Sequence, residues 1–124
     1  MKKGFTLVEI MIVVAIIGIL IAIAVPGFLR ARENSRGQAC QENLTKIDGA
    51  KEQWALEFKH SNNTVIDNND AFLDDVNIFG TNGYVKKRPK CPSSGTYIIH
   101  NIGTDPECTI GSSNSPFIKH VMPD

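Results

Sequence analysis

Hydrophobic residues dominate the first quarter of the chain. Every position from Ile10 to Val25 is apolar or Gly, and the longer stretch over residues 5–29 carries one charged side chain, Glu9. As an α-helix, residues 5–29 would be about 37 Å long, which is enough to cross a hydrocarbon core of about 30 Å with some tilt. The pattern therefore predicts a transmembrane helix over residues 5–29, with Lys2 and Lys3 on the cytoplasmic side.

Pro26 lies near the end of this stretch, where it removes one backbone donor, so we expect a helix kink near residues 22–27. Residues 30–36 are polar, and the helical period then continues to about residue 60. The apolar positions of one face are Cys40, Leu44, Ile47, Ala50, Trp54 and Phe58. The charged positions of the other faces are Lys46, Asp48, Lys51, Glu52 and Lys59.

The rest of the chain predicts a small α/β head. Residues 70–79 are expected to form a short helix capped by Asp70, followed by a loop over residues 80–83. Residues 95–102 are rich in β-forming residues, residues 103–106 give a turn signal, and residues 108–110 can return as a second strand. The predicted fold class is α+β, a long N-terminal α-helix packed on a small antiparallel β-sheet head.

Glu9 is the anomaly of the apolar stretch, because a charge near the bilayer centre costs about 2.5–3.5 kcal/mol and needs a partner. The segment Gly4-Phe5-Thr6-Leu7-Val8-Glu9 resembles the processing site of type IV pilins and type II secretion pseudopilins. The resemblance implies cleavage after Gly4 by a prepilin peptidase and methylation of the new N-terminal Phe5. It also implies that Glu9 pairs with the N-terminal amine of a neighbouring subunit during assembly.

This resemblance sets the expected domains: a leader over residues 1–4, a transmembrane and assembly helix over residues 5–29, and a periplasmic pilin-like domain over residues 30–124. The implied function is a structural subunit of a type IV pilus or pilus-like filament, not an enzyme. The implied partners are the subunit itself or related pilins, the prepilin peptidase, an assembly ATPase, an inner-membrane platform protein and, before assembly, membrane lipid. The precursor is expected in the inner membrane as a single-pass protein with its head outside the cytoplasm, and the filament is expected to be periplasmic or extracellular.

Other interpretations of the first thirty residues stay open. Ala22-Ile23-Ala24 is an acceptable cleavage site for an ordinary secretory signal peptide, although Glu9 then lies within its hydrophobic region. A plain signal anchor leaves Glu9 unexplained, and Glu9 could also be merely tolerated near the interface. The functional alternatives are a type II secretion or competence pseudopilin, and a membrane-anchored binding domain that does not polymerise. The major type II pseudopilins carry a calcium-binding C-terminal loop that has no match here.

Charge adds little to this picture. The chain has 13 Lys and Arg against 13 Asp and Glu, so nothing indicates a nucleic-acid-binding protein overall. Residues 86–90 form a basic cluster that could touch nucleic acid, but a solvated loop is the better interpretation. No nucleophile–base pair or phosphate loop is visible, and no cofactor is expected.

Three cysteines are compatible with one disulfide and one spare thiol in an exported chain. We expect a Cys91–Cys108 disulfide, because both residues lie in the head, and closing a loop of that length stabilises by about 3 kcal/mol. Pairing of Cys40 with either head cysteine stays open. Residues 91–97 also resemble the C-terminal region of short pilin-like proteins.

No metal site is predicted. The residue types that bind zinc are present, but they lack the close Cys–Cys or His–His spacing of common zinc motifs. Residues 67–70 carry oxygen ligands without the spacing or glycine of a calcium loop, so a solvated loop is preferred there. The zinc-type residues are Cys91, His100, Cys108 and His120.

Overall fold

The computed structural model describes residues 3–67 and 78–124. Within these ranges the chain forms one α-helix, α1 (Leu7–Glu57), two short strands, β1 (Tyr97–Ile98) and β2 (Glu107–Cys108), and a 3-10 helix (Ser112–Asn114). The strands pair antiparallel, with Tyr97 opposite Cys108 and Ile98 opposite Glu107. The α+β class and the hairpin are confirmed, although the strands are much shorter than the β-rich sequence suggested. The predicted helix over residues 70–79 lies almost entirely outside the described residues.

The chain divides into two compact units, residues 1–33 and residues 34–124, and the second is called the head unit below. In the first unit, residues 3–32 are all exposed. The apolar part of α1 is long and hydrophobic enough to cross a membrane, and none of it is buried by the residues that the structure describes. The helix continues through Pro26.

The C-terminus of α1 closes with a left-handed residue. The helix ends at Glu57, Lys59 adopts a φ of 56°, and the His60 N–H donates to the Ala55 carbonyl at 2.8 Å. This six-residue hydrogen bond around a left-handed residue is the Schellman arrangement that satisfies the last helical carbonyls. The His60 ring then stacks on Trp54, with ring centroids 4.3 Å apart.

The core of the head unit forms between the buried face of α1 and the loops and hairpin that follow it. One cluster consists of Ile47, Ala50, Trp54, Ala55, Ile66, Ile78, Phe79, Ile99 and Ile102. A second cluster consists of Cys40, Leu44, Cys91 and Cys108, with Tyr97, Ile110 and Met122 packed against it. The helical stripe predicted from the sequence is therefore the packing face, apart from its last member.

Two positions of the helical region depart from the predicted pattern. Phe58 lies beyond the end of α1 and is 55% exposed, because the chain has already turned out of the helix. Lys51, predicted on a polar face, is fully buried. Its ammonium donates to the carbonyls of Ile99, Asn101 and Thr104 and lies 3.5 Å from a carboxylate oxygen of Asp48. Burial lowers the pKa of Lys51, while the Asp48 carboxylate acts in the opposite direction.

Candidate functional site

The start of α1 is built by a reciprocal pair of hydrogen bonds. The Thr6 N–H donates to Glu9 Oε2 at 2.7 Å, and the Glu9 N–H donates to Thr6 Oγ1 at 3.3 Å. This is a capping box, in which a threonine N-cap and a glutamate three residues later satisfy each other's free backbone donors. The negative charge of Glu9 also lies in the first turn, where the helix dipole favours it.

The residues around this cap are open to solvent. Gly4 precedes the helix with no atom within 4 Å of the position that a Cβ would occupy, and the Phe5 side chain is 86% exposed. A protease that binds the backbone here would therefore meet an exposed segment outside the helix. The Thr6 amide that donates to Glu9 lies after the expected scissile bond, so cleavage between Gly4 and Phe5 would leave the capping box in place.

The apolar surface of α1 begins directly after this cap. The large side chains of Leu7, Val8 and Met11 are 77%, 62% and 61% exposed, and comparable exposure continues to Leu29. A contiguous exposed apolar surface of this length exceeds what a soluble monomer tolerates. It needs lipid or other helices as its surroundings.

The head unit holds a second constellation that the sequence did not predict as a set. Cys40 from α1, Cys91, Cys108 from β2 and His120 are all buried, and one ligand-type atom of each lies within 4.8 Å of all the others. The Cys91 sulfur is 3.4 Å from His120 Nδ1. Of the four zinc-type residues considered from the sequence, His100 lies apart, with its Nε2 3.3 Å from a carboxylate oxygen of Glu107.

All three cysteines are free thiols. Burial raises the pKa of Cys40 to about 12, and burial is also the main cause that raises the pKa of Cys108. The Tyr97 hydroxyl donates to the Cys40 sulfur at 3.5 Å, and Asn43 Nδ2 donates to the Tyr97 oxygen at 3.1 Å. The pKa of Tyr97 is raised, first by burial and then by this contact with Cys40. The Cys91–Cys108 disulfide stays a prediction.

Comparison with known proteins identifies the N-terminal segment. A family model described as the prokaryotic N-terminal methylation motif matches residues 1–25. Competence protein ComGC of Bacillus subtilis is 33% identical over 100 residues, which cover 79% of this chain and 89% of that protein. Type II secretion system core protein G of Vibrio cholerae is 31% identical over 105 residues, which cover 77% of this chain and 68% of that protein. This chain belongs to the type IV pilin and type II secretion pseudopilin family.

Similarity to a major pilin covers less than half of this chain. Type IV major pilin protein PilA of Myxococcus xanthus is 46% identical over 56 residues, which cover 45% of this chain and 26% of that protein. No solved structure matches the chain. The pilin-type N-terminus and the exposed apolar helix fit an inner-membrane precursor.

The two parts of the site differ in how well the sequence indicated them. The Gly4, Phe5 and Glu9 motif was recognised from residue order, but the Thr6–Glu9 capping box was missed, although the Thr-x-x-Glu pattern carries it. Cys40 was placed on the packing face without a link to His120. No local spacing connects them, because four separate chain segments supply the four residues.

Proposed function

We propose that this pilin-family chain is a structural filament subunit and not an enzyme. The observation that carries the proposal is the exposed apolar half of α1, which starts directly at the prepilin-type motif. In the membrane, lipid surrounds this surface, and in a filament the same helices of other subunits surround it. Because both environments are apolar, the transfer from one to the other costs little hydrophobic free energy.

The proposed assembly begins with processing. The precursor lies in the inner membrane with residues 1–4 in the cytoplasm and residues 30–124 outside it. The prepilin peptidase cleaves between Gly4 and Phe5, and the new amine of Phe5 is methylated. An assembly ATPase and a membrane platform protein then move the subunit from lipid into the growing filament.

In this proposal, Glu9 sets the position of each subunit along the filament relative to its neighbour. Its carboxylate already accepts one hydrogen bond from its own Thr6 amide, and a carboxylate has room for further donors. The amine of Phe5 from a neighbouring subunit is the new cation that cleavage creates. A charge pair between them in an apolar bundle would be strong enough to reject arrangements that leave Glu9 unpaired, because breaking a buried pair costs about 3–5 kcal/mol.

A second candidate is a pseudopilus subunit of a competence or type II secretion system. The matches to ComGC and to core protein G extend along most of this chain, whereas the match to PilA covers less than half of it. Deleting the gene and then measuring surface pili, DNA uptake and protein secretion separates the three systems. Loss of surface pili supports the first candidate, and selective loss of uptake or secretion supports the second.

Processing is tested by Gly4→Val. The added side chain blocks the small-residue position before the scissile bond, so we expect full-length precursor in the membrane and no filaments. Gly18→Val is the matched control, because Gly18 also has open space around it but lies well inside the helix. Immunoblotting of membrane and sheared fractions measures precursor processing and filament yield for both variants. Normal processing of Gly4→Val, or an equal block in Gly18→Val, would contradict the assignment of the cleavage site.

A further inference from the structure

We propose that the head unit binds one zinc ion through Cys40, Cys91, Cys108 and His120. Three thiols and one imidazole are the ligand set of a common structural zinc site. The four residues come from different segments of the chain and converge on one buried point. This inference concerns the head unit alone and is independent of whether the chain forms filaments.

The distances match a tetrahedral site. With Zn–S bonds of about 2.3 Å and Zn–N bonds of about 2.0–2.1 Å, tetrahedral ligands lie about 3.8 Å apart between sulfurs and about 3.5 Å apart between sulfur and nitrogen. Cys91 Sγ and His120 Nδ1 are 3.4 Å apart, and no pair among the four exceeds 4.8 Å. Zinc binding therefore requires each separation to shorten by about 1.3 Å at most.

The surroundings also suit a closed structural site. Leu44, Ile110 and Met122 contribute to the apolar cluster around the thiols, and all four proposed ligands are buried. Four protein ligands would leave no open coordination position. The Asn43–Tyr97–Cys40 chain of hydrogen bonds directs a hydroxyl proton at one sulfur. Outer hydrogen bonds of this kind orient a ligand and stabilise its thiolate.

Gly95 leaves the space that the sulfurs need. A Cβ at this position would lie 2.7 Å from the Cys108 sulfur and 3.2 Å from the Cys91 sulfur. The backbone of residue 95 therefore forms one wall of the cluster, and any side chain there would displace two of the proposed ligands. A disulfide between two of the cysteines would involve only two of the four groups. It would not explain why the third thiol and the imidazole converge on the same point.

A zinc ion would cross-link separate segments of the head unit. It would join α1, the segment at Cys91, strand β2 and the segment at His120 at one point. Small domains with thin cores commonly need such a staple, and structural zinc contributes directly to folding. In zinc binding each thiol loses its proton to solvent and the ion is not oxidised or reduced, so no further reactant is needed.

The test uses the full chain, purified from membranes in detergent without added metal, with thiols alkylated at lysis in a parallel sample. Metal analysis by mass spectrometry should give one zinc per chain. Replacement by Co²⁺ should give the absorption bands of tetrahedral cobalt with thiolate charge transfer. Cys40→Ser and His120→Asn should each weaken Co²⁺ affinity by more than the roughly 10–100-fold that outer-shell changes cost, and Tyr97→Phe should fall within that range.

Two further variants keep the test decisive if a ligand variant folds poorly. His120→Cys should retain the metal with stronger charge-transfer absorption from a fourth thiolate. His100→Gln, a matched control outside the cluster, should bind like the unmodified chain. Three outcomes would overturn the proposal: a folded chain that binds neither zinc nor Co²⁺, a Cys91–Cys108 disulfide in the alkylated sample, or equal loss of metal in His100→Gln and His120→Asn.

Discussion

Glu9 has two roles in this account, and they are separable at the level of single residues. Within the chain it closes the capping box with Thr6, and in the filament it is proposed to pair with a neighbouring amine. A cap contributes about 1 kcal/mol, whereas breaking a buried charge pair costs about 3–5 kcal/mol. Assembly should therefore depend much more on the charge than on the cap.

Two substitutions separate these roles. Glu9→Gln keeps the capping box, because glutamine also serves at this position, but it removes the charge. Thr6→Ala removes the hydroxyl acceptor and keeps the charge. We expect both variants to be inserted and processed, with filament yield collapsing for Glu9→Gln and nearly normal for Thr6→Ala, as measured in sheared fractions. Normal yield from Glu9→Gln would show that the side chain is needed only as a cap.

At the scale of the elements, α1 carries two glycines in its head-unit part, and their surroundings are opposite. A Cβ on Gly37 would lie 2.5 Å from the carbonyl oxygen of Ile118, whereas a Cβ on Gly49 would meet no atom within 4 Å. Gly37 therefore marks the point where the C-terminal segment packs directly on the helix backbone. Gly49 only lowers the helical propensity of α1.

Alanine at these two positions should have effects of opposite sign. Gly49→Ala should raise the free energy of unfolding of the head unit by up to about 1 kcal/mol through helical propensity. Gly37→Ala should lower it by about 1–3 kcal/mol, because the clash involves backbone atoms that cannot rotate away. Thermal denaturation of the two detergent-solubilised variants measures both effects. Equal stabilisation by both would contradict the close contact between α1 and Ile118.

The sequence predicted elements well where one period or one motif carried the information. The apolar run and the helical stripe from Cys40 to Trp54 both depend on neighbouring residues. The turn expected over residues 103–106 lies slightly earlier, where the Thr104 N–H donates to the Asn101 carbonyl at 3.1 Å. Lys51 was placed on the wrong face, because a lysine is assigned to solvent unless its partners are known. Its partners are loop carbonyls about fifty residues further along the chain, which only the tertiary fold brings to it.

The same limit applies to the candidate sites. Gly4, Phe5 and Glu9 lie within one short motif, so residue order was sufficient to select them. Cys40, Cys91, Cys108 and His120 are far apart in the sequence, and no metal site was predicted because close spacings were absent. The zinc-type residues considered from the sequence included His100 and omitted Cys40. The three-dimensional structure was needed to find this cluster, because α1 and three later segments of the chain meet at it.

At the scale of the whole molecule, the chain combines a helical segment with an exposed apolar surface and a head unit that has its own core. In the proposed function the first unit serves membrane insertion and assembly, and the head unit stays in water. The small core of the head unit is where a metal staple would contribute most. Filament formation in this account depends on cleavage of the leader, residues 1–4, from the rest of the chain.

The most direct test of the filament proposal is the N-terminus of the chain in sheared filaments, determined by N-terminal sequencing and intact mass. The account predicts that filaments contain this chain with N-methylated Phe5 as its first residue. A chain that still begins at Met1, or one that begins at Val25 after cleavage as a secretory signal peptide, would contradict the account.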